Sequence, residues 1–334
     1  MALLFLPLVG GACAVAGFEH SWDTPASAWL GYGAMPARLF TDSEVDWISK
    51  TYSVVVLSGG GFDAKLNMSI AQGVMNVSAR IKARNPAIKV MQYFNMQGFA
   101  GYDSTDPALV NFLAHPEWWL LDDNNNVIRH FGSPGGSPGS PEYDWSNPAA
   151  VQNFLEMPLV GPEGTSLIDG FLFDGGAIYD QPANMSASRA EALKIAKWAA
   201  LGKFQQRLTK LNGGIALANG MIGGPIDPNN DPYNLDCLSY VNGIENERGT
   251  PVFELVNHTD GSFDLVAVAA NLAAIEKASQ MANGTKMVSV NYWPGSIIGL
   301  NQSNFGLPTF APLDPLNEQP TGTLQRCSFI YRYI

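Results

Sequence analysis

The strongest constraint on the fold of this chain is the alternation of short apolar runs with helical segments. Apolar runs of strand length recur at Ser53–Leu57, Ile88–Phe94, Ile168–Asp174, Ile215–Asn219, Ser239–Glu247 and Met287–Tyr292. Stretches with helical spacing separate them, most clearly at Lys65–Arg84, Arg189–Leu211 and Asp264–Met281. Strands that alternate with helices of this length are typically joined as parallel βαβ units. The sequence therefore predicts an α/β fold.

The number of strands favours a closed barrel. With an early strand near Trp29–Ala34 the chain has seven, whereas a (β/α)8 barrel needs eight. The last segment, Thr323–Ile334, fits either a seventh helix or a final strand. A doubly wound sheet uses the same alternation, but no G-x-G-x-x-G motif and no P-loop follows a strand. We therefore predict a (β/α)8 TIM barrel, which lacks its last strand if Thr323–Ile334 is helical.

The start of the chain has the features of a signal peptide. Residues 2–16 are apolar, too short to span a bilayer comfortably, and end in Ala14-Val15-Ala16, which matches an A-x-A cleavage pattern. The alternative is a buried first strand. No linker or repeat divides the remaining chain, so we predict a signal peptide over 1–16 and one catalytic barrel domain over 17–334. This organisation implies secretion or residence in the endomembrane lumen.

The cysteines and glycosylation motifs fit that location. Cys13 would leave with the signal peptide, and Cys237 and Cys327 would remain as one disulfide or as two buried thiols. Their spacing does not choose between these states. The N-x-[ST] sequons that predict a glycoprotein begin at Asn67, Asn76, Asn184, Asn257, Asn283 and Asn301.

Composition excludes several classes of function. The formal net charge of -11 and a pI near 4.7 disfavour nucleic acid and anionic membranes as partners. The four histidines are scattered, with no HExxH motif and no Cys/His metal spacing. No G-x-S-x-G nucleophile elbow is present. Carboxylates are the abundant catalytic material, and the predicted chemistry needs no metal and no organic cofactor.

The segment Ile168–Gly176, with the sequence IDGFLFDGG, is the most informative part of the chain. Strand alternation places Leu172 and Asp174 on one face, and Phe171 and Phe173 on the other. An apolar strand that ends in an acid and two glycines leaves a carboxylate at the barrel mouth with room for a ligand. Asp169, at the start of the strand, is better interpreted as structural.

A resemblance to glycoside hydrolases depends on two motifs. The first is Asp144-Trp145-Ser146-Asn147-Pro148, which precedes a helix over 149–156, and the second is the strand from Asp169 to Asp174. The pair resembles the fourth βα unit of (β/α)8 glycoside hydrolases, including the α-glucosidase and α-galactosidase clans and hypothetical glycosyl-hydrolase-like families. The resemblance implies that Asp174 is a nucleophile or a base. Gly175-Gly176 departs from the polar–acidic continuation of the α-glucosidases.

Hydrolysis of a glycosidic bond normally uses two carboxylates. Glu245 and Glu247 lie on one face of the extended segment that follows Gly243, and they are the best candidates for the second. We prefer Glu247, because the last position of such a strand is the more exposed. Pairing of either glutamate with Arg248 is the structural alternative.

Aromatic and amide side chains near the strand ends are candidates for sugar binding. We predict substrate-binding roles for Tyr93, Asn95, Trp145, Tyr179, Asn219, Asn291, Tyr292 and Trp293. Large aromatic residues more often cover cores, so several together favour a carbohydrate cleft better than any one does. Asp122-Asp123, in the run DDNNN, fits a turn better than a cation site.

The sequence thus predicts a glycoside hydrolase that acts on an oligo- or polysaccharide. Its catalytic residues would be Asp174 with Glu247 or Glu245. Carboxyl groups about 5–5.5 Å apart would indicate a retaining enzyme, and groups about 6.5–9.5 Å apart an inverting one. The alternatives are a non-catalytic glycan-binding barrel and a lyase or metal-dependent hydrolase on the same scaffold.

Overall fold

A computed structural model describes residues 27–31, 40–57, 70–96, 107–130, 139–156, 167–179, 181–220, 234–246, 273, 277, 287–292 and 327–331. The predicted signal segment 1–16 lies outside these residues. So does the predicted helix Asp264–Met281, apart from positions 273 and 277, which are helical. Within the described part, no helix is long and apolar enough to cross a membrane.

The protein is an α/β protein with a closed barrel of eight strands. In chain order the barrel strands are β1 (Ser27–Gly31), β2 (Val54–Leu57), β3 (Lys89–Asn95), β6 (Gly170–Asp174), β7 (Ile215–Asn219), β8 (Gly243–Asn246), β9 (Met287–Tyr292) and β10 (Cys327–Tyr331). Their order around the barrel is β1-β10-β9-β8-β7-β6-β3-β2. The first seven pair in parallel with their neighbours in chain order, as the alternation of strands and helices predicts.

The last strand, β10, differs from the prediction. It runs antiparallel to both neighbours, with Ser27 opposite Phe329 and Cys327 opposite Tyr292. The all-parallel (β/α)8 arrangement is therefore wrong at this strand, and a helix is wrong for the described part of Thr323–Ile334. The residues Cys327–Tyr331 are rich in aromatic and β-branched types, which favour a strand. An antiparallel strand beside its predecessor needs no crossover helix, so a barrel can close this way.

Five α-helices have both ends in the described part of the chain. They are α1 (Asp42–Thr51), α2 (Ile70–Arg84), α3 (Pro107–Ala114), α4 (Pro148–Leu155) and α5 (Ala187–Asn212). The side chain of Asn147 caps α4 by accepting hydrogen bonds from the backbone N–H groups of Ala149 and Ala150. Pro148 is the first residue of that helix, as predicted. Proline fits this position because the first backbone N–H groups of a helix have no hydrogen-bond partner within it.

The hydrophobic core lies between the strands and the helices. Phe171 and Phe173 on β6 are buried and contact Phe204 on α5, with ring centroids 5.1 Å apart in each pair. Phe154 on α4 completes the cluster, 5.9 Å from Phe173. Full burial of a side chain of this size stabilises the fold by roughly 1.5–3 kcal/mol. This packing turns the other face of β6, which carries Leu172 and Asp174, towards the barrel interior.

An excursion between β3 and β6 carries α3, a short hairpin and α4. The hairpin strands are β4 (Arg129–His130) and β5 (Ser140–Pro141). The DDNNN run before the hairpin forms a turn, in which Asp122 accepts from the backbone N–H groups of Asn124 and Asn126. The described residues hold no group of three His, Cys, Asp or Glu side chains that could bind a metal.

Candidate active site

Asp174 is the last residue of β6 and lies at the carboxyl end of the barrel strands. Its strand neighbour on β3 is Asn95, and Tyr93 lies opposite Leu172 in the same register. The backbone carbonyl of Asp174 accepts a hydrogen bond of 2.9 Å from the N–H of Met96. Because residues in register on paired strands share a face, Tyr93, Asn95 and Asp174 all project into the barrel.

Three neutral side chains donate hydrogen bonds to the Asp174 carboxylate. Tyr93 Oη lies 2.5 Å from Oδ2, and Asn95 Nδ2 lies 3.3 Å from the same oxygen. Asn219 Nδ2, from the end of β7, lies 2.7 Å from Oδ1. Both asparagines are buried, whereas Asp174 and Tyr93 are partly exposed. The site thus consists of a partly exposed carboxylate and phenol that are hydrogen-bonded to two buried amides.

The direction of these hydrogen bonds follows from the chemistry of Asn95. Its Nδ2 lies 3.3 Å from Tyr93 Oη as well as from Asp174 Oδ2. An amide nitrogen only donates, so the phenol oxygen accepts from Asn95 and its own proton points to Asp174. Among the described residues no lysine, arginine or histidine forms an ion pair with Asp174. The carboxylate is therefore oriented by neutral donors and not bound to a cation.

The turn after Asp174 needs the glycine pair that follows it. Gly175 has a φ of +66°, in the left-handed region that residues with a side chain rarely adopt. A Cβ on Gly176 would lie 2.9 Å from the carbonyl oxygen of Phe173, whose carbonyl accepts the N–H of Gly176 at 3.0 Å. The glycine pair thus has a structural cause, because the chain folds back sharply here.

Two side chains of α5 fix this turn from behind. Lys197 is 1% exposed, and its Nζ donates to the carbonyl oxygens of Gly175 at 2.7 Å and Ile178 at 3.0 Å. Trp198 Nε1 donates to Ala177 O at 3.2 Å. Lys197 was not among the residues predicted from the sequence. A lysine among the apolar positions of a helix was the signal, since a buried ammonium needs polar partners close by.

Tyr179 lies just beyond this turn and is half-buried. Burial, and secondarily the nearby charge of Glu142, raises the pKa of the Tyr179 phenol above its usual range. Its hydroxyl lies 3.9 Å from the sulfur of Met185, and its ring packs on the hydrophobic core. Tyr179 makes no hydrogen bond to Asp174 in the described part of the chain.

Trp145 is the predicted site residue that the structure places elsewhere. It is 2% exposed and packs between Tyr143 and Phe154, with centroids 5.2 and 5.3 Å away. This is the helix side of β6, opposite the face that carries Asp174. The prediction of a substrate-binding role for Trp145 is therefore corrected to a core role, because the local motif does not reveal on which side of the strand its loop packs.

The remaining predicted residues belong to β8 and β9 or to the segments after them. Glu245 pairs in register with Asn219 on β7 and with Ser289 on β9. Asn291 and Tyr292 pair with Ser328 and Cys327 on β10. Glu247 and Trp293 lie outside the described residues, so their predicted roles stay predictions. The partner state of Cys237 and Cys327 also stays open, since only the burial of Cys237 is described.

Comparison with known proteins finds no matching family model and no similar curated protein. Solved structures of glycoside hydrolases are similar at low identity. An α-amylase from H. orenii is 10% identical with a TM-score of 0.43, over 68% of this chain and 53% of its own. A cyclic α-maltosyl-(1→6)-maltose hydrolase from Arthrobacter globiformis is 14% identical with a TM-score of 0.43, over 76% and 62%.

An α-galactosidase from Thermus thermophilus, in complex with p-nitrophenyl α-D-galactopyranoside, is 15% identical with a TM-score of 0.39. That likeness covers 66% of this chain and 40% of the galactosidase. This chain thus spans about half the length of the first structures it matches.

Proposed function

We propose that this protein is a barrel glycoside hydrolase that cleaves O-glycosidic bonds of an oligo- or polysaccharide, with Asp174 as the reacting carboxylate. The observation that carries the proposal is the set of neutral donors around Asp174: Tyr93, Asn95 and Asn219 all donate to it. A carboxylate that accepts such bonds is held in one orientation, and no ion pair engages it in the described part of the chain.

Two schemes use this carboxylate. In the retaining scheme, an Asp174 oxygen bonds to the anomeric carbon while the glycosidic C–O bond breaks and a second carboxylic acid protonates the leaving oxygen. Water then attacks the anomeric carbon, the second carboxylate takes its proton, and the ester to Asp174 breaks. In the inverting scheme, a water oxygen bonds to the anomeric carbon while the glycosidic C–O bond breaks. Asp174 or the second carboxylate takes the proton of that water, and the other, as a carboxylic acid, protonates the leaving oxygen. We propose that Glu247 or Glu245 supplies the second carboxyl group.

We also propose which residues contact the sugar and where the protein acts. Tyr179, Asn291, Tyr292 and Trp293 are proposed to contact the sugar, since they lie in or after strands that end at the same mouth as β6. The proposed location is extracellular or within the endomembrane lumen, where a polysaccharide substrate would be met.

A panel of aryl α- and β-glycosides and polysaccharides tests the proposal. The variants are wild type, Asp174→Asn and a matched control, Asp46→Asn, which removes a carboxylate that pairs with Arg84 on the helix surface. Because loss of a reacting group lowers rates by roughly 10²–10⁴-fold, we expect Asp174→Asn to lose activity on that scale while Asp46→Asn keeps it.

The anomeric configuration of the first product, followed by NMR, separates the retaining scheme from the inverting one. Undiminished activity of Asp174→Asn would remove Asp174 from the mechanism. If the wild type binds glycans but hydrolyses none of the substrates, the protein is a non-catalytic glycan-binding barrel and not an enzyme.

A further inference from the structure

The two oxygens of Asp174 have unequal surroundings. Oδ2 accepts hydrogen bonds from Tyr93 and Asn95, whereas Oδ1 accepts one, from Asn219. A carboxylate oxygen has two in-plane lone pairs that accept hydrogen bonds. In the described part of the chain both lone pairs of Oδ2 are therefore occupied, and Oδ1 keeps one for another partner.

We propose that Oδ1 of Asp174 is the oxygen that reacts, and that Tyr93 is a positioning residue that holds Oδ2 in place. This inference rests on the proposed function. It applies to the retaining scheme, in which Oδ1 bonds to the anomeric carbon, and an inverted first product would overturn it. Tyr93 does not touch the reacting atoms in this arrangement and acts through Asp174.

The donors to Oδ2 suit each stage of the retaining reaction. When Oδ1 bonds to the anomeric carbon, Oδ2 becomes the carbonyl oxygen of the ester and still accepts from Tyr93 and Asn95. When the ester breaks, the electron pair of the C–O bond returns to the carboxylate, and the same donors stabilise the charge. Donors that are already in place need no reorganisation during the reaction.

Tyr93 also sets the rotation of the carboxylate. The terminal torsion of an aspartate is broad and nearly two-fold, so only its hydrogen bonds decide which oxygen faces the cleft. The Asn95 amide donates to the phenol oxygen at 3.3 Å and directs the phenol proton to Oδ2. Removing that proton in Tyr93→Phe keeps the ring but frees the carboxylate to turn. The loss should therefore fall on kcat, with KM nearly unchanged.

The size of the loss follows from one hydrogen bond to a charged group. Such a bond contributes about 1.5–3 kcal/mol, which corresponds to a rate decrease of roughly 10- to 100-fold. The matched control is Tyr52→Phe. Tyr52 lies just before β2, at the opposite end of the barrel strands from Asp174, and its ring packs against Trp47.

A double-mutant cycle separates positioning from general structural support. In Asp174→Ala, azide replaces the missing carboxylate: it bonds to the anomeric carbon while the bond to the aryl leaving group breaks, which forms a glycosyl azide and releases the phenolate. We expect Tyr93→Phe to lower kcat in the native background but to change the azide-rescued rate of Asp174→Ala by less than about twofold. An equal loss in both backgrounds, or no loss in the native one, would overturn the inference while leaving the proposed function intact.

Trapping provides a second measurement that does not depend on rates. A crystal of the wild type reacted with a 2-deoxy-2-fluoro glycoside should show the anomeric carbon bonded to Oδ1, with Tyr93 Oη still hydrogen-bonded to Oδ2. A bond to Oδ2 with Tyr93 displaced would overturn the inference. Full activity of Asp174→Ala without azide would instead overturn the proposed function, and the inference with it.

Discussion

Asp169 and Asp174 lie at opposite ends of one strand and have opposite kinds of partner. Asp169, just before β6, is paired with Lys82 at 2.6 Å and Lys89 at 3.4 Å, and it also accepts from the N–H of Val90 at 2.8 Å. Asp174 accepts only from neutral donors in the described part of the chain. The start of the strand is thus joined by ion pairs to α2 and β3, and its end presents a carboxylate that is held by neutral donors.

Asn substitutions at these two positions should separate stability from activity. Asp169→Asn leaves two largely buried lysines without their carboxylate, and breaking such a pair destabilises a fold by about 3–5 kcal/mol. Asp174→Asn exchanges one of two acceptor oxygens for an amide nitrogen and breaks no ion pair, so its unfolding free energy should change far less. Urea denaturation and glycosidase rates, measured below the unfolding midpoint, check both expectations. Equal loss of stability in the two variants would contradict this division.

Lys197 should support the turn that carries Asp174. In Lys197→Met the carbonyl oxygens of Gly175 and Ile178 lose their buried donor, which costs roughly 1–3 kcal/mol in unsatisfied polar groups. The turn should loosen, and amide hydrogen exchange at 175–178 should accelerate relative to the wild type. Lys203→Met, at an exposed position of the same helix, is the matched control. Unchanged exchange in Lys197→Met would show that the turn is stable without it.

The strands were predictable where the sequence itself is apolar. The runs at β2, β3, β6, β7 and β9 are buried or paired as their residue types indicate. The direction of β10 could not be predicted, because antiparallel and parallel strands share the same local pattern. Helix α1 was missed although Thr41 and Glu44 form a capping box, a local signal that the sequence does carry.

The candidate site was predictable to the level of strand ends and no further. Tyr93, Asn95, Asp174 and Asn219 end parallel strands, and such ends meet at one mouth of a barrel. Which of them hydrogen-bond depends on register, and a shift of one residue would reverse the faces of a strand. The role of Lys197 depends on the rotation of α5 about its axis. Neither the strand register nor the rotation of α5 can be predicted from a local segment of the chain.

Acid sensitivity should depend in part on Asp122. Hydrogen bonds from the backbone and side chain of Asn126, and then from Asn184 and Asn124, hold the pKa of Asp122 below the ordinary value of 3.8. A folded pKa below the unfolded one means that the group stabilises the fold above about pH 4, and that this contribution is lost as pH falls through the folded pKa. Between about pH 5 and pH 2, the unfolding temperature of Asp122→Asn should therefore fall less than that of the wild type.

The control for this comparison is Gln206→Ala, which changes an uncharged side chain at an exposed position of α5. Its unfolding temperature should follow the pH dependence of the wild type. If the unfolding temperatures of wild type and Asp122→Asn fall in parallel below pH 4, the turn does not contribute to the acid response.

Gly175 should be required for its backbone conformation rather than for space alone. At its φ of +66° a Cβ is strained, so Gly175→Ala should destabilise the fold by roughly 1–2 kcal/mol. Asparagine tolerates this region better than alanine, so Gly175→Asn should recover part of the loss. Because the carbonyl of Gly175 is bound by Lys197 and its neighbour is Asp174, kcat should follow the same order: Gly, Asn, Ala. Equal stability of the Ala and Asn variants would show that crowding, and not the left-handed backbone, is the reason for glycine at this position.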